Sequence, residues 1–232
     1  MNTHLPMSAP KFDDAAITSS VQNAIDASWA KPFPLPEPQV DLDAYFARIG
    51  YDGPREATLE VLRDLHALHP AHIPFEAINV LCRKGVSLAP EDIDRKIIFE
   101  GRGGYCFEQN GLFRRVLRSL GFEVESLAGR VLWGYNEGDG PRPRCHMAMR
   151  VTLDGEAWLV DVGLGGCVPT APLLLGVSVP QVTPHDTFRV RERNGRYLTE
   201  LERDGVWKPV HEVDIVPVED IDYEVMNFYA ST

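Results

Sequence analysis

Positive charge is in short supply: Lys and Arg number 23 against 34 Asp and Glu, a formal net charge of -11. That argues against a nucleic-acid partner, which would select a basic face. Any anionic ligand must then be held by local positive charge. Long apolar runs are missing too, and no stretch can span a bilayer as a helix. Met1 to Asp14 lack the basic-then-apolar layout of a signal peptide. Cysteine is sparse. The four present (Cys82, Cys106, Cys145, Cys167) show neither CxxC spacing nor a dense framework, and read as free thiols in a reducing cytoplasm. No solenoid-type repeat is visible. What remains is a chain of 232 residues, 44% hydrophobic and 25% charged, with ample material for a core.

Residues 1–39 read as an N-terminal extension. Ile17, Val21, Ile25 and Trp29 fall on one helical face, and the Pro-rich run 31–38 makes an extended connector. The segment is expected to dock on the body. Residues 40–121 read as a helical domain. Leu42, Tyr45, Phe46 and Ile49 form a first stripe, closed by Gly50. Thr58 caps a second helix carrying Leu59, Leu62, Leu65 and Leu68, which Pro70 is expected to stop. On that reading only His66 and His69 share a helix face with each other, and His72 lies beyond it. No cysteine or carboxylate has matching metal-ligand spacing, so the three are expected to be helix-end histidines facing the dipole. Ile93, Ile97 and Ile98 mark a third helix.

From Phe122 the hydrophobic period shifts towards two. Asp154-Gly155, Asn194-Gly195 and Asp204-Gly205 mark tight hairpins, so 122–212 reads as a β-meander or small barrel. Residues 213–232 begin a further unit.

The stretch 102–110, Arg-Gly-Gly-Tyr-Cys-Phe-Glu-Gln-Asn, joins these two halves. Phe113, Val116, Leu117 and Leu120 continue it as a helix, which places Cys106 at or near a helix N-terminus. Free amide N–H groups and the macrodipole favour an anion there, and the thiolate is the nucleophilic form of cysteine. A nucleophile needs a base. If Asp154-Gly155 is a two-residue turn, paired positions sum to the value set by Leu153 opposite Glu156, which puts His146 and Asp161 on one face as diagonal neighbours. Such neighbours lie roughly 7–8 Å apart at Cα, within reach of an imidazole–carboxylate bond. The opposite face carries Met147, Met149, Val151, Leu153, Trp158, Val160 and Val162 and is assigned to the barrel core. His146 and Asp161 are therefore expected to point out of the barrel, at the helical domain. Cys, His and Asp so gathered make a nucleophile, a base and an orienting carboxylate, suited to acyl transfer or peptide-bond chemistry alike.

These residues resemble the arylamine N-acetyltransferase family. Residues 102–110 are similar to its nucleophile motif, Cys145-His146-Met147 to its histidine strand, and 158–166 (Trp-Leu-Val-Asp-Val-Gly-Leu-Gly-Gly) to its aspartate strand and following loop. Residues 41–50 and Ile73-Pro74-Phe75-Glu76 match as well. The likeness covers about residues 40–230. It implies an α+β fold: a helical bundle on an antiparallel β-barrel, a papain-like cysteine-enzyme core, and a third α/β lid of which 213–232 are the start and most is missing. It implies ping-pong N-acetylation of arylamines or arylhydrazines through an acetyl-cysteine, with acetyl-CoA as co-substrate, no permanently bound cofactor and no metal. Cys106 would be the nucleophile, His146 the base and Asp161 its orienter. Arg102 and Glu76 would organise the site by ion pairing. Phe75, Leu164, Gly163 and Gly165 would line the substrate pocket, with Leu164 standing where the family usually has an aromatic residue. A cytoplasmic monomer or dimer is expected, with no nucleic-acid or membrane partner.

Two other readings stand beside this one. A thiol hydrolase or transglutaminase-like enzyme would use the same triad on peptides, and a non-catalytic protein would use the body as a binding module. Arg142 and Arg144 either hold CoA phosphates or form a solvated rim. Cys145 is expected to be buried on the opposite side from His146 and inert.

Overall fold

The structure is a computed structural model that describes residues 39–136 and 138–232. The helix and Pro-rich connector expected before residue 39 lie outside the described residues. Helix α1 (Leu42–Ile49) is fixed at both ends by local chemistry. The Asp41 carboxylate accepts the Ala44 N–H at 3.0 Å, and Gly50 takes the left-handed conformation that ends the helix. Tyr45, Phe46 and Ile49 are its buried face.

Helix α2 (Leu59–His72) begins at the Thr58 cap and does not stop at Pro70. The proline lacks only the N–H that would reach the His66 carbonyl, and the last turn still closes through Ile73 N–H to His69 O at 2.9 Å. All three histidines are thus helical. Only His72 is the expected histidine at a solvated helix end, exposed with Nδ1 3.0 Å from Leu68 O; His66 and His69 are fully buried. A short α3 (Ile78–Leu81) and α4 (Pro90–Asp94) follow, the latter running into a π-helical turn, Arg95–Phe99. Helix α5 (Cys106–Ser119) starts on the cysteine itself.

The sheet consists of β1 (Glu123–Val131), β2 (His146–Leu153), β3 (Glu156–Val160), β4 (Leu173–Leu174), β5 (Gln181–Val182), β6 (Thr187–Arg193), β7 (Arg196–Arg203) and β8 (Val206–Asp214). All pairings are antiparallel, in the order β4-β3-β2-β1-β8-β7-β6-β5. Each of the three expected hairpins has both turn residues at positive φ, the conformation that Asp-Gly and Asn-Gly adopt most readily. The sheet curls into a nearly closed barrel. Across the gap between its edges, the Gln181 side chain imitates a strand, accepting from Leu174 N–H at 2.7 Å and donating to Leu174 O at 2.9 Å.

The register Leu153↔Glu156 through Met149↔Val160 is the one expected from the turn. The sidedness is the reverse. Met149, Val151, Trp158, Val160 and Val162 pack with Ile49, Leu62, Leu65, Phe113 and Leu117 of the helices. Ala148 and Leu159, on the His146 and Asp161 side of the strands, join Leu127, Phe188, Leu201 and Val213 in the barrel interior. Both sheet faces are covered, so alternation of apolar residues identifies the faces without saying which one meets the helices. The last helix, α6 (Asp220–Ser231), packs back onto the body. Tyr223 Oη donates to Leu127 O at 2.9 Å, Asn227 Nδ2 to Val86 O at 2.8 Å, and Arg114 pairs with Asp220. The described residues make one unit.

Candidate active site

The N-terminus of α5 is built so that no side chain keeps its backbone away. A Cβ on Gly103 would stand 1.8 Å from the Pro74 carbonyl oxygen, and one on Gly163 would meet the Cys106 Cα at 2.8 Å. Only glycine permits either approach. Tyr105 enters the helix in an extended conformation, and its N–H donates to the Glu108 carboxylate at 3.1 Å. Glu108 is buried, which pushes its carboxyl up, while the bond to Lys96 Nζ at 2.7 Å opposes that rise. Lys96 also lies 3.4 Å from Glu76, which accepts from Arg102 at 2.8 Å. A chain of alternating charge therefore runs from Arg102 to the first turn of α5. Arg102 and Glu76 were visible in the sequence, whereas Lys96 and Glu108, the buried half of the chain, were not.

Cys106 is nearly buried, and its Sγ lies 3.6 Å from the Cys145 carbonyl oxygen. His146 and Asp161 are each 1% exposed and joined by a 2.6 Å bond from Nε2–H to Oδ2. The carboxylate's other oxygen accepts from Asn110 Nδ2 and from Gly163 N–H, both at 2.9 Å. Asn110 also donates to Met147 O and accepts from Val162 N–H, so one α5 side chain clamps β2 to the end of β3. His66 Nε2 accepts the Asp161 N–H at 3.3 Å. His69 bridges Tyr45 Oη and Gln109 Oε1, each at 2.9 Å. These supporting residues escaped sequence reasoning, although Asn110 lies one turn after Cys106 and His66 and His69 share the stripe of Leu62 and Leu65.

Electrostatics divides the histidines. Burial alone would push His146 down, but the Asp161 charge, the hydrogen bond to Asp161 and that with Cys106 outweigh it, and the imidazole is pushed up to about 10. Burial likewise opposes ionisation of Asp161, yet the charge and hydrogen bond of His146, with His211 and Asn110, hold its carboxyl well below the usual range. Asp161 is thus held ionised, and the imidazolium that forms when His146 accepts a proton is stabilised beside it. His66 is pushed down to about 4 and His69 to about 3, in both cases mainly by burial. A thiol hydrogen-bonded to such an imidazole can yield a thiolate–imidazolium pair able to attack an activated carbonyl.

Phe75 is about half exposed, and its ring lies 3.4 Å from where a Gly165 Cβ would be. Leu164 is partly buried against the barrel core. Arg144 is paired with Asp214 at 3.0 Å. Arg142 joins Arg130, Arg191, Arg193 and Arg196 around a groove of about 540 Å³ on the barrel exterior. Cys145 is half-buried, not fully buried as expected, and burial pushes its thiol up. No helix among the described residues is long and apolar enough to cross a membrane.

Helices packed on an antiparallel barrel, with a cysteine from one meeting a His–Asp pair from the other, define a papain-like cysteine-enzyme fold. Comparison with known proteins narrows the class. The family model described as N-acetyltransferase matches residues 58–232. Arylamine N-acetyltransferase of Escherichia coli is 37% identical over 190 residues, 82% of this chain and 67% of that protein. The Mycobacterium tuberculosis enzyme of the same name is 40% identical over 197 residues, 83% of this chain and 69% of its own. The solved structure of Mycobacterium marinum arylamine N-acetyltransferase in complex with CoA superposes with a TM-score of 0.80 at 36% identity, covering 83% of this chain and 72% of that one. The chain belongs to the arylamine N-acetyltransferase family, and spans about two thirds of the length of these curated relatives.

Proposed function

We propose that the protein transfers acetyl groups from acetyl-CoA to arylamines or related aromatic amines and hydrazines, in two half-reactions through Cys106. The observation that carries this reading is the buried, hydrogen-bonded His146–Asp161 pair standing against the cysteine at the start of α5. His146 takes the thiol proton, and the thiolate adds to the thioester carbonyl. As the tetrahedral adduct collapses, the C–S bond to CoA breaks and the imidazolium returns the proton to the departing CoA sulfur. The amine nitrogen then attacks the acetyl-cysteine. His146 removes the nitrogen's proton, and Cys106 leaves as the thiolate. Asp161 holds Nε2–H throughout, which leaves Nδ1 for the sulfur and stabilises the cation. The relatives' names favour acyl transfer over the hydrolase reading.

Arg102 and Glu76 act at a distance from the chemistry, anchoring the charge chain that ends at the α5 N-terminus. Phe75, with Gly163, Leu164 and Gly165, forms the acceptor pocket. An exposed phenyl ring beside a glycine leaves a flat apolar wall suited to stacking an aromatic amine. Arg142 and Arg130 supply positive charge for the CoA phosphates near Cys145. A cytoplasmic location accords with four free thiols and no disulfide. Incubation with acetyl-CoA followed by intact mass measurement tests the proposal. One acetyl adduct is expected, absent in Cys106→Ala and discharged by an aromatic amine. Peptide cleavage without any adduct would move the assignment to a hydrolase.

A further inference from the structure

We propose that His146, Asp161 and His211 form a binding site for one zinc-type divalent ion, and that occupancy of this site switches the base off. The consequence for activity rests on the function proposed above, whereas the site itself does not. His211 comes from β8, outside every motif discussed so far. It is fully buried, and neither ring nitrogen has a hydrogen-bond partner among the described residues. Its cross-strand partner Thr199 is also fully buried, with a hydroxyl that has no partner there either. Buried polar atoms are almost always satisfied, and an imidazole with two orphan nitrogens points to a missing ligand.

The geometry points to a cation. His211 Nε2 lies 4.0 Å from Asp161 Oδ2, and the His211 ring stands edge-on to His146 with centroids 5.2 Å apart. One ligand atom from each of His146, Asp161 and His211 lies within 4.8 Å of the other two. Two imidazoles and a carboxylate suit zinc and its neighbours. Bonds of about 2.0–2.2 Å in tetrahedral geometry put ligand atoms about 3.4 Å apart. The present separations from Asp161 Oδ2, 2.6 Å to His146 and 4.0 Å to His211, bracket that value. Small side-chain shifts would therefore close the site. On binding, the metal displaces the proton from His146 Nε2, and exchange through solvent places it on Nδ1. The neutral ring then carries its one proton on Nδ1, and it can no longer accept one from Cys106.

The test uses the full chain, stripped with EDTA, and reads zinc affinity directly by competition with a chromophoric chelator. Binding of one equivalent is expected. Affinity should fall by at least on the order of 100-fold in His211→Gln and be unchanged in Cys106→Ala. Cobalt substitution is expected to give visible ligand-field bands without a sulfur-to-cobalt charge-transfer band, and this holds the test open if His211→Gln fails to fold. Acetyl-cysteine formation should stop in step with zinc occupancy and return with EDTA. The proposal is overturned by absence of binding, by binding that survives in His211→Gln or vanishes in Cys106→Ala, by a sulfur charge-transfer band, or by a saturated enzyme that still acetylates. A protein that binds zinc through His211 yet never forms an acetyl adduct would instead overturn the assigned activity and leave the site standing.

Discussion

His146 on β2 and His211 on β8 lie side by side with both rings fully buried, yet one is pushed up to about 10 and the other down to about 4. Burial acts on both in the same direction, against the charged form. The difference is contact with Asp161: a 2.6 Å hydrogen bond for His146 and a 4.0 Å separation for His211. A carboxylate in hydrogen-bond contact overcomes desolvation, whereas the same carboxylate just out of contact does not. The site thus sorts two like residues into a charge-bearing partner and a neutral bystander by little more than an ångström.

The most damaging way to break the comparison is Asp161→Asn. The amide keeps an oxygen for Asn110 and Gly163 N–H but presents an NH₂ group to His146 Nε2, forcing the proton onto the nitrogen needed by Cys106. The fold should survive, and the rate of acetyl-cysteine formation should fall on the order of 10⁴-fold, the scale known for this exchange in nucleophile–His–Asp units. A loss of tenfold or less, read by time-resolved intact mass, would show that the carboxylate does not set the tautomer.

The next test is alkaline. His146 is raised in the folded state, so its contribution to stability is fully present below the unfolded value near 6.5 and is lost as pH climbs towards about 10. The limiting slope is about 1.4 kcal/mol per pH unit. Urea midpoints taken across that window should decline in the wild type and flatten in Asp161→Asn. His211 bends the other limb. It is depressed, so the unfolded chain takes the proton first, and stability is lost as pH falls from near 6.5 towards about 4. His66 and His69 act in the same sense, so His211→Gln should soften the acid limb without abolishing it.

How much of this was legible beforehand depended on the range of the interaction. The hairpin at Asp154-Gly155 carries its own register, and a helix beginning on Cys106 is written in the spacing of Phe113, Val116 and Leu117, so the meeting of His146 with Asp161 could be worked out from local rules. Sidedness could not, because Ala148 and Leu159 on one face and Met149 and Val160 on the other are all apolar. Pro70 misled because a proline in the final turn removes a single bond. His211 was hidden for a geometric reason. It shares a buried face with Val213, two residues on, but it reaches His146 only because β8 pairs with β1, a long-range pairing that no local rule supplies. Lys96 and Glu108 meet only through the π-helical turn and the glycine approach, a tertiary event with no sequence period.

The finest test leaves both histidines in place and alters the floor beside one of them. Thr199 faces His211 across the ladder, buried, with a hydroxyl that has no partner among the described residues. Thr199→Val keeps the shape and removes the stranded oxygen. Leaving a buried hydroxyl unsatisfied costs about 1–3 kcal/mol, while replacing it with a methyl group of similar shape is near neutral or favourable. A gain of up to about 1 kcal/mol in urea unfolding at pH 7 is therefore expected, with acetyl-cysteine formation unchanged because His146 and Asp161 are untouched. A loss of similar size would mean that the hydroxyl is satisfied through a trapped water, which would give His211 a polar neighbour after all. The contrast between the two histidines would then come from two solvated sites of unequal strength, not from one bonded and one orphaned ring.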